Sequence, residues 1–209
     1  MQGTLRKILI TALVAAAGAA FAAAPASAGV LVKSAPDCNP SDVSQPFSRW
    51  GDNANYFLAP GGDFENGTAG WGLTGSARVV ADNEPWKVSG EGTGALQIPA
   101  GATVTTPTVC VGLDHPTIRL FAKRTSGLPL LASLAVSVEV ETSLGLTATV
   151  PVNAVLLNTG SWSQTGRMLI VANLLPLLPG DLTPIRLKFT SLLGTFRIDD
   201  VYVDPRMSR

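Results

Sequence analysis

Gly61-Gly62-Asp63-Phe64-Glu65-Asn66-Gly67-Thr68-Ala69-Gly70-Trp71 sets two carboxylates either side of an aromatic of core type, in a glycine-rich bend that closes on a tryptophan. The four glycines relax the backbone, so carbonyls and acids can converge on one point. Phe64 and Trp71 anchor the bend to a core. A second acidic stretch stands at the far end of the chain, in Phe196-Arg197-Ile198-Asp199-Asp200-Val201-Tyr202-Val203. Its alternation slips: Phe196 and Ile198 share one face, Val201 and Val203 the opposite one. A bulge at Asp199-Asp200 returns all four to the core and aims a carboxylate sideways. The two stretches read as first and last strands that meet.

Between them the chain has the period of strands. Leu134, Val136, Val138 and Val140 alternate with Ser137, Glu139 and Glu141, and this is the clearest strand. Ile118, Leu120 and Ala122 alternate with Arg119, Phe121 and Lys123. Leu146 to Val152 and Ile185 to Phe189 repeat the pattern, and Ala77–Ala81, Ala95–Ile98, Thr103–Val111 and Met168–Val171 add shorter runs. Trp86–Val88 reads as one more extended piece. Turns recur about every 8 to 12 residues and no long helical period intervenes. The expected fold is an all-β, antiparallel jelly-roll β-sandwich over residues 55–209.

The first 28 residues stand apart. Arg6 and Lys7 precede an apolar, alanine-rich run from Ile8 to Ala24, and Ala26-Ser27-Ala28 suits signal-peptide cleavage after Ala28. The run falls short of the ~20 strongly apolar residues of a membrane span, and no later stretch is apolar enough to serve. Removing 28 of 209 residues leaves 181, with 13 basic and 15 acidic side chains and a net charge of −2. That length suits one domain with a full core, and that balance gives no reason to expect nucleic acid as a partner. Residues 29–54, broken by Pro36, Pro40 and Pro46, read as an extended N-terminal arm packed down by Phe47 and Trp50. Cys38 and Cys110 are the only cysteines, and in an exported chain an even count makes one disulfide the default. It would fix the arm to the sheet and contribute roughly 4 kcal/mol in the chain-entropy treatment.

Asp63, Glu65, Asp199 and Asp200 are hard oxygen donors of the kind calcium takes, beside bend carbonyls that could complete the shell. Solvated turn residues or sheet-end caps would look the same. The pair Gly-Asp-Phe-Glu…Gly-Trp and Phe-Arg-Ile-Asp-Asp-Val, in this order and at this separation, resembles the terminal signatures of carbohydrate-binding modules of the galactose-binding-domain-like jelly-roll superfamily. The resemblance spans Tyr56 to Pro205. It implies a structural calcium held by Glu65, the carbonyl of Asp63, and Asp199 or Asp200, with Glu91 as a fourth candidate. It also implies that Trp71 belongs to the core.

A sugar site needs aromatic planes beside hydrogen-bonding groups. Trp86 and Trp162 sit in polar, turn-like settings and are the candidate ligand planes. Arg119, Phe121 and Glu139 stand on polar strand faces that could line a concave sheet. No catalytic constellation emerges: the one histidine, His115, lies in the turn Leu113-Asp114-His115-Pro116, and neither a nucleophile elbow nor a phosphate loop is visible. The expected function is therefore a secreted, non-catalytic module that binds a glycan or other extracellular surface. The alternative is a structural or adhesive envelope protein on the same fold, favoured if Leu174, Leu175, Leu177 and Leu178 form an exposed apolar loop.

Overall fold

The computed structural model describes residues 42–111, 117–142, 144–157, 160–170 and 183–204. Two antiparallel sheets face each other. The first holds β1 (Phe57–Leu58), β3 (Arg78–Ala81), β4 (Gly94–Ile98), β7 (Thr117–Gly127), β10 (Ser163–Gln164), β11 (Met168–Leu169) and β13 (Gly194–Val203). Its main order is β10-β7-β13-β4-β3, with β1 also paired to β13 and β11 to β7. The second holds β2 (Gly72–Leu73), β5 (Thr103–Thr105), β6 (Val109–Val111), β8 (Ser133–Glu141), β9 (Thr147–Val155) and β12 (Thr183–Leu192). Its order is β2-β5-β12-β8-β9, with β6 paired to the start of β12. This is the expected β-sandwich of jelly-roll type. Among the described residues no helix is long and apolar enough to cross a membrane.

The core lies between the sheets because alternate side chains of both turn inward. Leu96, Ile98, Leu120, Ala122, Phe196 and Ile198 come from the first sheet, and Val104, Leu134, Val136, Val138, Leu187 and Phe189 from the second. Along β8 burial alternates at every residue. The first and last strands do meet, Phe57 opposite Val203 and Leu58 opposite Tyr202. The bulge falls where the slipped alternation put it. Between Asp199 and Tyr202 the pairing of β13 with β7 gains one residue, and Asp200 takes φ 50°. Phe196, Ile198, Val201 and Val203 all reach the core as a result.

Some elements depart from expectation. Thr103 to Val111 is two strands, broken around Pro107, and β2 had no sequence signal beyond the end of the acidic bend. Trp86–Val88 is turn rather than strand. β12 begins ahead of Ile185 and accommodates Pro184 opposite Cys110 of β6. Cys38 and the residues before it, His115, and Leu174 to Leu178 lie outside the described residues, so the signal peptide, the Cys38–Cys110 bridge and the leucine loop are not described. No described cysteine is a free thiol.

Candidate functional site

The outer face of the first sheet is built from side chains that point away from the core: Arg119, Phe121 and Lys123 of β7, Arg197, Asp199 and Tyr202 of β13, and Gln97 of β4. Two segments lie across it. The first is residues 44–56, tied by the reciprocal backbone bonds of Ser44 with Tyr56 and turned by the 3-10 segment Ser48–Trp50. Phe47 is fully buried, stacked on Phe121 at 5.5 Å and edge-on to Tyr56 and Tyr202. The second is the β3–β4 connection, whose Trp86 packs at 5.4 Å from Phe121 and edge-on to Trp50 at 5.1 Å.

This arrangement corrects two ligand candidates. Arg119 and Phe121 do not line an open groove: Phe121 is fully buried and Arg119 is 6% exposed, because residues 44–56 cover them. Arg119 donates to Asp52 Oδ2 at 2.6 Å and to the Thr165 carbonyl at 2.9 Å, with its guanidinium over the Phe47 ring. Asp52 also accepts from Arg167 through both oxygens and from the Tyr56 hydroxyl at 2.7 Å. Burial works to raise the Asp52 pKa, but the bonds from Arg167, Tyr56 and Arg119 outweigh it and hold the carboxyl well below the usual range. Burial and the Asp52 carboxylate push the Tyr56 hydroxyl up to about 12. Glu139 is a third correction. It stands on β8 of the opposite sheet, paired with Lys188 at 3.1 Å, and shares no surface with the tryptophans.

The two candidate ligand planes, Trp86 and Trp162, are both half-buried against the cluster of Phe47, Tyr56, Phe121 and Tyr202, as is Trp50, which packs residues 44–56 down. Beside them Asp82 gathers Lys123 and Arg197, each at 2.5 Å, and accepts from Trp162 Nε1 at 3.3 Å. Lys123 Nζ lies 5.0 Å from the centre of the Trp162 ring, and Arg197 also donates to Gln97 at 3.2 Å. Burial would raise the Asp82 pKa, but the bonds from Lys123, Arg197 and Trp162 lower it, so this carboxylate stays charged. Aromatic surface therefore sits next to fixed donors and acceptors, the chemistry that meets both faces of a sugar ring. Asp82 is not among the residues that the sequence singles out. Its long-range partners in β7 and β13 leave no local trace.

The acidic bend docks against the bulge. Ala59 N donates to the Val201 carbonyl and Val201 N to that of Gly62, at 2.8 and 3.1 Å. A Cβ on Gly62 would stand 3.1 Å from the Val201 carbonyl, tighter than an ordinary contact, so the close approach favours glycine here. Phe64 holds φ 58° and packs edge-on against Trp71, which is buried in the core. Two of the five described non-glycine residues at positive φ, Phe64 and Asp200, thus belong to this junction.

The acids of the junction are not all used alike. Asp199 and Asp200 are each 1% exposed. Asp199 accepts from the Glu84 and Asp200 amides, and Asp200 Oδ2 from the Ser89 amide, whereas Asp200 Oδ1 is buried with no partner. Glu84, equally buried and unforeseen from sequence, accepts from the Trp86 and Val88 amides at 2.5 Å. No ion pair among the described residues neutralises Asp199, Asp200 or Glu84. Burial first, then the charge of Asp200, pushes the Asp199 carboxyl up to about 9. Burial again, with Glu84 and Asp63 adding repulsion, pushes Asp200 up to about 6. Glu65 instead turns both oxygens to the Thr93 and Gly94 amides, at 2.8 to 2.9 Å. Glu91 is exposed and pairs with Lys87. As they stand, the described residues hold no group of three or more His, Cys, Asp or Glu side chains arranged for a metal ion. The orphaned Asp200 oxygen and the uncompensated charge around it are nevertheless features that a cation would satisfy.

Solved structures share this fold. The chain is similar to the N-terminal tandem of family 22 carbohydrate-binding modules from Paenibacillus barcinonensis, at 19% identity over 74% of this chain and 46% of that one, with a TM-score of 0.50. It is similar to the single xylan-binding family 22 domain from the same organism, at 18% identity over 70% and 93%, TM-score 0.47. A third similar structure is the N-terminal endo-1,4-β-D-xylanase modules of Clostridium thermocellum complexed with xylohexaose, at 16% identity, TM-score 0.49. There the alignment covers 68% of this chain but only 27% of the other. No family model matches the sequence, and no curated protein matches it. At these identities the likeness is one of fold: the chain shares its two-sheet β-sandwich with the tandem of family 22 modules.

Proposed function

We propose that the protein is a secreted, non-catalytic module that binds a glycan on the outer face of its first sheet. The reading is carried by one observation: Trp162, half-buried, donates to Asp82 of the Asp82–Lys123–Arg197 cluster on that face, and Trp86, also half-buried, packs on Phe121 of the same face. A pyranose would stack its apolar face on the tryptophan and direct its hydroxyls to Asp82, Gln97 and Arg197. The fold supports the reading, being one on which carbohydrate-binding modules are built. A glycan array that includes xylan and β-1,4-galactan tests it. Retention that Trp162→Ala removes without lowering the melting temperature is the expected result; no retention on any polysaccharide would overturn it.

Export with cleavage after Ala28 and a Cys38–Cys110 disulfide belong to the same proposal, as does a structural calcium at the junction of bend and bulge. The cation would draw on Asp200 and Asp199, with Asp63 and bend carbonyls completing the shell. Glu65 would join only by giving up the amides of Thr93 and Gly94. When bound, calcium supplies positive charge to a buried acidic cluster that has no lysine or arginine. A structural or adhesive envelope protein is the second reading. It is favoured by the burial of Arg119 and Phe121 under residues 44–56, which takes much of the sheet face out of reach of a ligand.

A further inference from the structure

One end of the sandwich carries an apolar surface that the glycan reading does not use. The loop after β7 leaves Leu128, Leu130 and Leu131 exposed, the β12–β13 turn leaves Leu192 and Leu193, and the end of β9 leaves Leu156. Backbone pairing places these three segments side by side. Gly127 lies opposite Gly194, Leu192 opposite Ser133, and Leu134 opposite Val155. A Cβ on Gly127 would meet the Leu193 carbonyl at 2.4 Å and the Ala132 Cβ at 2.8 Å, so the two loops touch through their backbones. Exposure reaches 73% at Leu130 and 70% at Leu193, and is 44% even at Leu192.

The backbone adds an independent observation. Leu130 holds φ 68° and Leu193 φ 57°, left-handed conformations in which glycine or asparagine is the ordinary choice. Each leucine costs conformational energy at a loop tip where its side chain packs on little of its own protein. Strain of this kind persists where the side chain has a use.

We infer that this leucine-bearing end is a self-association surface, on which a second copy of the chain docks end to end. Three features select that occupant. The six leucines together expose on the order of 600 Å², close to the ~800 Å² per partner of a standard interface and at the top of what monomers usually leave open. No Asp, Glu, Lys or His occurs in residues 125–136, 154–157 or 191–196, so two identical faces meet without like-charge repulsion, as an isologous contact requires. A lipid surface fits less well. Among the described residues of these segments there is no Trp or Tyr for the headgroup layer, and the adjoining Arg124 donates to the Leu157 and Gly127 carbonyls.

Sedimentation velocity of the full chain as processed on export, over a concentration series, tests the inference. The expected result is a reversible dimer. Leu130→Asp with Leu193→Asp raises its dissociation constant about tenfold or more. Leu130→Gly with Leu193→Gly does the same while relieving the left-handed strain, which guards against a misfolded variant. A monomer at every concentration, or a dimer that both variants leave intact, overturns the inference. So does flotation with phosphatidylcholine–phosphatidylglycerol vesicles that the glycine variants abolish, since it would assign the surface to lipid.

Discussion

Asp52→Ala is the substitution that asks most of this structure. Asp52 is 4% exposed and holds together three segments: residues 44–56 through Ala54 and Tyr56, β7 through Arg119, and the β10–β11 connection through Arg167. Its two cationic partners are not equivalent. The Arg119 side chain is 8% exposed and that of Arg167 54%. Losing the carboxylate leaves Arg119 as a buried charge whose only other described partners are the Thr165 carbonyl and the Phe47 ring, a situation that costs about 3–5 kcal/mol. Loss of the exposed Arg167 contact adds under about 1 kcal/mol. At roughly 2–4 °C per kcal/mol for a chain of this size, the melting temperature should fall by about 10 °C. Arg167→Ala should lower it by no more than about 3 °C. Thermal melts followed by circular dichroism, with urea titrations to check that the m-value is unchanged, provide the comparison. Equal, small shifts for both variants would refute the claim that a buried charge network pins residues 44–56 to the sheet. Because the Asp52 pKa is depressed, its contribution is present above the ordinary carboxylate pKa and is lost only as pH falls well below that range.

Other consequences are equally open to measurement. In chelator, Asp199 and Asp200 have raised pKa values, so their protonated forms favour the fold; stability should be full below pH 3.8 and decline as pH rises through about 6 and about 9. Saturating calcium should raise the melting temperature at pH 8 and remove that decline, and Asp200→Asn should abolish the calcium effect; melts that ignore both calcium and pH would count against the cation site. Gly94→Ala would bring a Cβ to 2.8 Å from the Phe64 carbonyl, and the overpacking should cost roughly 1–3 kcal/mol in urea unfolding. A neutral outcome there would mean the bend is not seated on β4 as described.

Strand content was legible because burial alternates with the pleat, most plainly along β8. The bulge was legible for the same reason: four apolar residues out of phase admit few other solutions. What alternation does not carry is which sheet a strand joins. Glu139 and Arg119 carry the same polar-face signature, yet they lie on opposite sides of the sandwich. Nor does it say what covers a face. Arg119 and Phe121 read as surface until Phe47, Asp52 and Tyr56 are laid over them, some 65 to 75 positions away in sequence. Trp86 read as extended, whereas the Glu84 carboxylate curls that segment by accepting from the Trp86 and Val88 amides. The acidic junction was legible in part. Asp63 lies near Asp200, but Glu84 is the acid that sequence did not offer, and Glu65 is engaged by Thr93 and Gly94.

Glycan binding at the Trp162 face is the claim on which the proposed function depends. Isothermal titration of the processed protein with the oligosaccharide selected on the array measures it directly, with Trp162→Ala and Glu139→Gln run in parallel. Saturable binding by the native protein, weakened at least about tenfold in Trp162→Ala and unchanged in Glu139→Gln on the opposite sheet, is the predicted result. Equal binding by native protein and Trp162→Ala, or no heat with any oligosaccharide, would contradict it.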